Sequence, residues 1–278
     1  MSLFSATRNF GLIILFTTLV ALGSSAFASA NNEQDKEDIQ NSIIRYKSAI
    51  DANPNNPKTR LKLGGILIIS GDLNGAVDQF KQAIKLSPDN PEGYMGMSRA
   101  LLRKGDLKGS IDSVKSAIKL DTSNADYHYR LALLLSRSDN NDEAVNEFQQ
   151  AIKLNPQHAG AHKDLGATLG LKGDLAGEIN EEKRSLLLSP DDADALFYLG
   201  NAYAETGDIK GATQSLQRCV KIDPKNADAF RLLASICAAS GNFPDGLKYA
   251  EQAVKLDPNS KPYRDTWQKI KAASMKQK

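Results

Sequence analysis

Apolar residues recur along this chain in columns rather than in runs. Leu63, Met97, Leu131, Leu165, Leu199 and Leu233 form one series at a spacing of 34 residues, and Phe80, Val114, Phe148 and Leu216 form a second. Small residues keep the same period: Gly64, Ser98, Ala132, Gly166, Gly200 and Ala234 in one column, Ala76, Ser110, Ala144, Ala212 and Gly246 in another. A third small column runs through Ala49, Ala83, Ala117, Ala151, Ser185, Cys219 and Ala253. Bulk set beside small side chains lets helices approach to native packing density. Turn formers punctuate the pattern. Pro54, Pro88, Thr122, Pro156, Pro190, Pro224 and Pro258 stand one period apart, and Gly71, Gly105, Asp139, Gly173, Gly207 and Gly241 stand halfway between, each followed by Asp or Asn. Glycine closes a helix in the left-handed conformation, and an Asp or Asn side chain accepts the first N–H groups of the next. The pattern predicts six units of two short helices each, clearest in residues 193–224, with first helices starting near Pro57, Pro91, Ala125, Ala159, Ala193 and Ala227.

The ends of the helices carry supporting chemistry. Asn56, Asn90, Asn124, Asp192 and Asn226 are good N-caps, whereas His158 stands where the fourth unit needs one. Lys85, Lys119, Lys153, Lys221 and Lys255 fall where cations complement exposed carbonyls. Ahead of the array, Asn31 to Asp38 is a polar lead, and a lone helix runs from about Asp35 to Ala52, with Ile39, Ile43, Tyr46 and Ile50 on one face. The division is 31–56 for lead and N-terminal cap helix, 57–260 for the six units and 261–278 for a C-terminal cap helix bearing Trp267 and Ile270.

Residues 1–30 are written differently. Arg8 is their only charge, Phe10 to Leu22 is an apolar stretch, and Ala26-Phe27-Ala28 or Ala28-Ser29-Ala30 offers a small-x-small cleavage site. This reads as a secretory signal peptide, since the apolar part is shorter than the roughly 20 residues of a membrane span. The expectation is a soluble, extracytoplasmic protein (periplasmic, lumenal or secreted), attached to a membrane only if that segment stays uncleaved. With 35 basic and 33 acidic side chains, the chain shows no nucleic-acid footprint.

No G-x-S-x-G, H-E-x-x-H or phosphate-loop motif is present, and the repeats consume nearly the whole chain, so no catalysis and no cofactor are expected. His158 and His162 are four apart and His128 lies one period before His162, but two imidazoles on one face make an incomplete zinc site. Cys219 and Cys237 sit in packing columns of consecutive helices, which leaves either a disulfide or two buried thiols. The fourth unit is irregular: Glu178, Glu182 and Ser185 occupy positions that are small, bulky apolar and small in most other units. A carboxylate there requires a partner such as His162, a shifted helix, or a raised pKa.

The 34-residue helix pair, with Leu199, Gly200, Tyr203, Ala212, Leu216, Cys219 and Pro224 in its fifth copy, resembles the tetratricopeptide repeat over residues 35–275. Arg60, His128 and His162 depart from the large residue favoured early in the first helix. The resemblance implies an all-α, right-handed superhelical solenoid of stacked antiparallel helix pairs, whose concave groove is lined by first helices and binds peptides. Subtracting the packing columns leaves Leu61, Ile68 and Ile69 on the first helix. Beyond it the candidate groove residues are Met95, Arg99, Arg103, Tyr129, Arg130, Leu133, Arg137, Lys163, Phe197, Tyr198, Asn201 and Arg231. Aromatic anchors with arginines suit a protein or peptide partner of acidic character. The bland alternative packs these apolar residues between neighbouring first helices and pairs the arginines with Asp126, Asp164, Asp194 and Asp228. The carboxylate clamp of chaperone-binding relatives is not matched, because Ala167, Asp194 and Tyr198 break its pattern around Lys163. The expectation is a non-enzymatic interaction scaffold or adaptor, the alternative a self-associating structural protein.

Overall fold

A computed structural model describes residues 33–276, so the signal-like segment 1–30 lies outside the described residues. Every regular element among those residues is a helix. They are α1 (Glu33–Ala52), α2 (Pro57–Ser70), α3 (Leu73–Leu86), α4 (Pro91–Arg103), α5 (Leu107–Leu120), α6 (Ala125–Arg137) and α7 (Asn141–Leu154). There follow α8 (Ala159–Lys172), α9 (Leu175–Leu188), α10 (Ala193–Thr206), α11 (Ile209–Ile222), α12 (Ala227–Ala239), α13 (Phe243–Leu256) and α14 (Lys261–Met275). The chain divides into two compact units at Pro156 and Gln157. In each, a first helix packs on the second helix of its own repeat and that second helix on the next repeat, as in a solenoid of stacked pairs.

All six first helices begin on the residue the pattern predicts. Asn56 Oδ1 accepts the Lys58 N–H at 3.0 Å and the Thr59 N–H at 3.4 Å, and Asp208 Oδ1 accepts the Gly211 N–H at 2.9 Å. His158 caps as well: its Nδ1 accepts the Ala161 N–H at 3.0 Å, so an imidazole does what asparagine does elsewhere. Conversely, Asn140 makes no side-chain cap, because its amide donates instead to Ser138 Oγ. In that same turn Asp139 takes the left-handed conformation, φ 60°, that glycine holds in the other turns.

The lead is shorter than its polar composition suggests, since α1 is already helical at Glu33, with Glu33 and Asp35 in the turn where carboxylates oppose the helix dipole. Ile43 is buried against Leu63 and Leu67, with Ile39, Tyr46 and Ile50 packed beside it, so α1 covers the first repeat. At the other end Ile270 is the buried residue of α14, resting with Trp267 on Ala234 and Ala250.

The small columns have a geometric cause. The Phe80 ring enters between α2 and α4, where a Cβ on Gly64 would lie 2.8 Å from its Cζ and a Cβ on Gly96 would overlap its edge. In the fifth repeat Gly200 faces Leu216 in the same way, its imagined Cβ 2.7 Å from Cγ. The irregular fourth repeat keeps this geometry and changes its chemistry. Gly166 faces Glu182, 2.9 Å from an imagined Cβ to Oε1, and Gly170 lies against Glu178. The α9 helix is neither shifted nor loosened: Glu182 and Ser185 are fully buried and Glu178 nearly so. Nor does His162 reach Glu182, because its Nδ1 lies 2.6 Å from Glu181 Oε2. Both Glu182 carboxyl oxygens are buried without a hydrogen-bond partner. Burial, with Glu178 and Asp164 nearby, pushes that carboxyl well above the usual range.

Candidate partner-binding faces

The first-helix face of residues 33–156 is built from α2, α4 and α6. Arg103, at the end of α4, donates from Nη1 to the Ile68 carbonyl at 2.8 Å and so closes the carboxyl end of α2. Ile68 and Leu61 pack into the first hydrophobic cluster, whereas Ile69 stays exposed. Met95 is half-buried and Arg99 exposed. One repeat on, Tyr129 is half-buried with its ring 6.0 Å from that of Phe148, which holds it at a fixed angle. Leu133 is buried with the rest of the run Leu131 to Ser136, so it supports the face from beneath rather than lining it.

Arg130 is the unusual member. Its Nε is buried and has no hydrogen-bond partner. Burial, with the positive charge of Arg99 adding to it, pushes its guanidinium below its ordinary value. Two like charges on neighbouring first helices, one of them partly desolvated, constitute a place where an anion is favoured.

Residues 157–276 present a different face. Lys163 on α8 lies 3.0 Å from Asp192 Oδ2 and 3.7 Å from Asp194 Oδ2. Burial alone would lower that ammonium, but Asp192, Asp164 and Asp194 hold it above its ordinary value. Tyr198 is buried rather than presented, and burial with Asp194 and Asp164 nearby pushes its hydroxyl well up. Phe197 remains half-buried with its ring 5.9 Å from Tyr198, and Asn201 donates to Glu205 at 2.9 Å. Arg231 Nε lies 3.3 Å from Asp228 Oδ1. The pairing of basic residues with Asp194 and Asp228 thus describes this half, and it leaves Phe197 as the principal apolar contact residue.

The histidines are used inside the repeats. His128 Nδ1 lies 2.7 Å from Glu147 Oε2 and His162 Nδ1 2.6 Å from Glu181 Oε2, the position at which Arg60 Nη1 donates to Gln79 Oε1 at 3.3 Å. The three departures from a large residue early in the first helix are therefore polar latches across the helix pair. Their signal in the sequence is a constant separation of 19 residues. Among the described residues no group of three or more His, Cys, Asp or Glu is placed to hold a metal ion, and no helix is long and apolar enough to cross a membrane. Cys219 is buried and Cys237 half-buried, both as thiols, and burial pushes the Cys219 thiol up to about 12.

Three family models described as tetratricopeptide repeat match the chain, at residues 67–134, at 125–158 and 193–226, and at 27–91 and 215–261. The chain belongs to the tetratricopeptide repeat family. Its repeats form a protein–protein interaction scaffold of a kind that is generally not catalytic. Among solved structures it is similar to YrrB, described as a TPR protein with an unusual peptide-binding site, at 22% identity and TM-score 0.57 over 66% of this chain and 95% of that one. It is also similar to PilW, described as a widely conserved type IV pilus biogenesis factor, at 18% identity and TM-score 0.65 over 75% of this chain and 97% of that one. A third is PilF of Pseudomonas aeruginosa, at 16% identity and TM-score 0.67 over 75% and 95%. At these identities the likeness is one of fold. No curated protein matches the chain.

Proposed function

We propose that this protein is an extracytoplasmic adaptor that holds an acidic segment of a partner protein on the first-helix face of its repeats, chiefly through Arg99, Tyr129 and Arg130. The observation that carries the reading is Arg130, partly desolvated, with a buried Nε that lacks a hydrogen-bond partner and with the positive charge of Arg99 acting on it. A carboxylate placed beside the two guanidinium groups would offset their repulsion, and Tyr129, held against Phe148, provides an apolar surface beside it. Lys163 and Arg231 contribute less, because carboxylates of this chain already hold them. The location outside the cytoplasm rests on the signal-like pattern of residues 1–30.

The test is affinity capture from an extracytoplasmic fraction, with the wild-type chain and a Tyr129→Ala, Arg130→Glu variant of equal helicity run side by side. A partner retained by the first and lost by the second, through a segment rich in Asp or Glu, supports the proposal. An unchanged set of partners refutes it. Amino-terminal sequencing of the protein from its native source tests the location, which fails if residue 1 or 2 is found at the start of the chain.

A further inference from the structure

The opposite side of residues 157–276 carries a groove that the proposed face does not use. The second helices α9 and α11 form its walls and the first helix α10 its floor, enclosing a volume of about 980 Å³. The floor is apolar, made by Leu196, Leu199 and Tyr203, and Leu186 and Leu187 continue it up one wall. Leu187 is 74% exposed, more than any other large apolar side chain among the described residues.

The rim is basic. Lys183, Lys210, Arg218 and Lys221 surround this floor, against Asp208 as the single lining carboxylate, and Asp208 caps α11 by accepting the Gly211 N–H. Two of the cations are also oriented. The Lys183 ammonium lies 5.3 Å from the centre of the Tyr203 ring, and Arg218 Nη2 donates to the Pro190 carbonyl at 2.7 Å.

Any array of helix pairs leaves some notch here, and the chain contains its own comparison. Three periods earlier, the corresponding notch between α3 and α5 encloses about 510 Å³ and is lined by Lys81 and Lys104 against Asp106 and Asp112. There the charges balance. Asp112 and Ser116 of the earlier notch stand where the later one has Gln214 and Arg218, so the later copy has lost an anion and gained a cation. Lys183, Lys210 and Lys221 recur in the earlier copy as Lys81, Lys108 and Lys119, so what sets the later notch apart is the pair Gln214 and Arg218.

We infer that this notch is a second protein-binding surface, whose occupant is an acidic segment that lays apolar side chains on Leu186, Leu187 and Tyr203 and carboxylates along the rim. Apolar floor and cationic rim each supply one half of such a ligand's requirements. The surface is separate from Arg99, Tyr129 and Arg130, so the chain joins two partners rather than holding one.

The experiment is display of random dodecapeptides against the immobilised full-length chain. Enriched peptides are then synthesised with a fluorophore and titrated against wild type and a Gln214→Asp, Arg218→Ser variant. That variant gives the notch the two side chains already present in the folded earlier copy. The expected peptides carry Asp or Glu beside apolar residues and bind the variant about tenfold more weakly, the sum of two exposed charge changes. They bind Tyr129→Ala, Arg130→Glu as they bind wild type, which keeps this inference distinct from the first-helix face. Two results overturn it: no peptide sensitive to Gln214 and Arg218, or sensitive peptides lacking acidic residues.

Discussion

Replacing Glu182 by leucine should stabilise the protein, and by an amount that depends on pH. Leucine is what the next repeat has at the same place: Leu216 lies fully buried against Gly200 as Glu182 lies against Gly166. The change removes two buried oxygens that have no hydrogen-bond partner, a relief on the order of 1–3 kcal/mol. The charged and titratable groups around Glu182 are Glu178 on its own helix, Asp164 and Lys163 on α8, Asp192 at the start of α10, and Tyr198 on α10. Burial dominates, and Glu178 and Asp164 reinforce it while Lys163 opposes it.

The pH dependence follows from that direction. A carboxyl whose folded pKa lies above its ordinary value of 4.5 keeps its proton in the folded chain while the unfolded chain releases it. The wild-type protein therefore loses stability as pH rises above the ordinary value, by up to about 1.4 kcal/mol per unit until the folded pKa is reached. Below the ordinary value this linkage contributes nothing. Urea unfolding of wild type and Glu182→Leu at pH 5 and pH 7 should show a larger advantage for the variant at pH 7 than at pH 5. An advantage independent of pH would mean that Glu182 does not titrate with folding in this range. A variant less stable than wild type at pH 7 would mean that its carboxylate is solvated or paired, and the packing argument would fall.

Gly96→Ala should destabilise by about 1–3 kcal/mol in urea unfolding, since its Cβ would overlap the Phe80 ring, and Phe80→Leu in the same chain should recover part of the loss. His158→Ala should cost about 1 kcal/mol by removing the cap of α8, whereas His158→Asn should be close to neutral. In the folded protein at pH 8, iodoacetamide should modify Cys237 before Cys219, whose thiol is buried and pushed up to about 12, and urea should abolish the difference. Mass spectrometry of modified peptides checks the order, and equal rates without urea would contradict the burial of Cys219.

What could be read from the sequence is what repeats. The 34-residue period, the capping asparagines and the columns of bulk and small residues each recur, so a local rule applied six times accumulates evidence. Features confined to one repeat were harder to read. His158 does not match the Asn and Asp that cap the other first helices, yet its Nδ1 is an acceptor at the required position. Gly96 belongs to no column of the repeat, because the Phe80 ring that demands it lies in the preceding repeat. The pairs 128/147 and 162/181 hide behind a shared spacing that means nothing until two helices are folded face to face.

The same reasoning explains why subtracting packing columns overestimates a binding face. Subtraction assigns Lys163, Tyr198 and Arg231 to one surface with Arg99 and Arg130, since all project from equivalent first-helix positions. Whether such a residue can receive a partner depends on the loop carboxylates and neighbouring helices around it, and these differ between repeats. Asp192, which caps α10, also draws in Lys163, and Asp228 draws in Arg231. Among the described residues no hydrogen-bond partner reaches the buried Nε of Arg130. The residues that remain unsatisfied after folding, rather than those left over from the repeat pattern, are therefore the stronger candidates for recognition. By that criterion Arg130 is the strongest candidate on the first-helix face, and a charge reversal there should weaken partner binding more than one at Lys163 or Arg231.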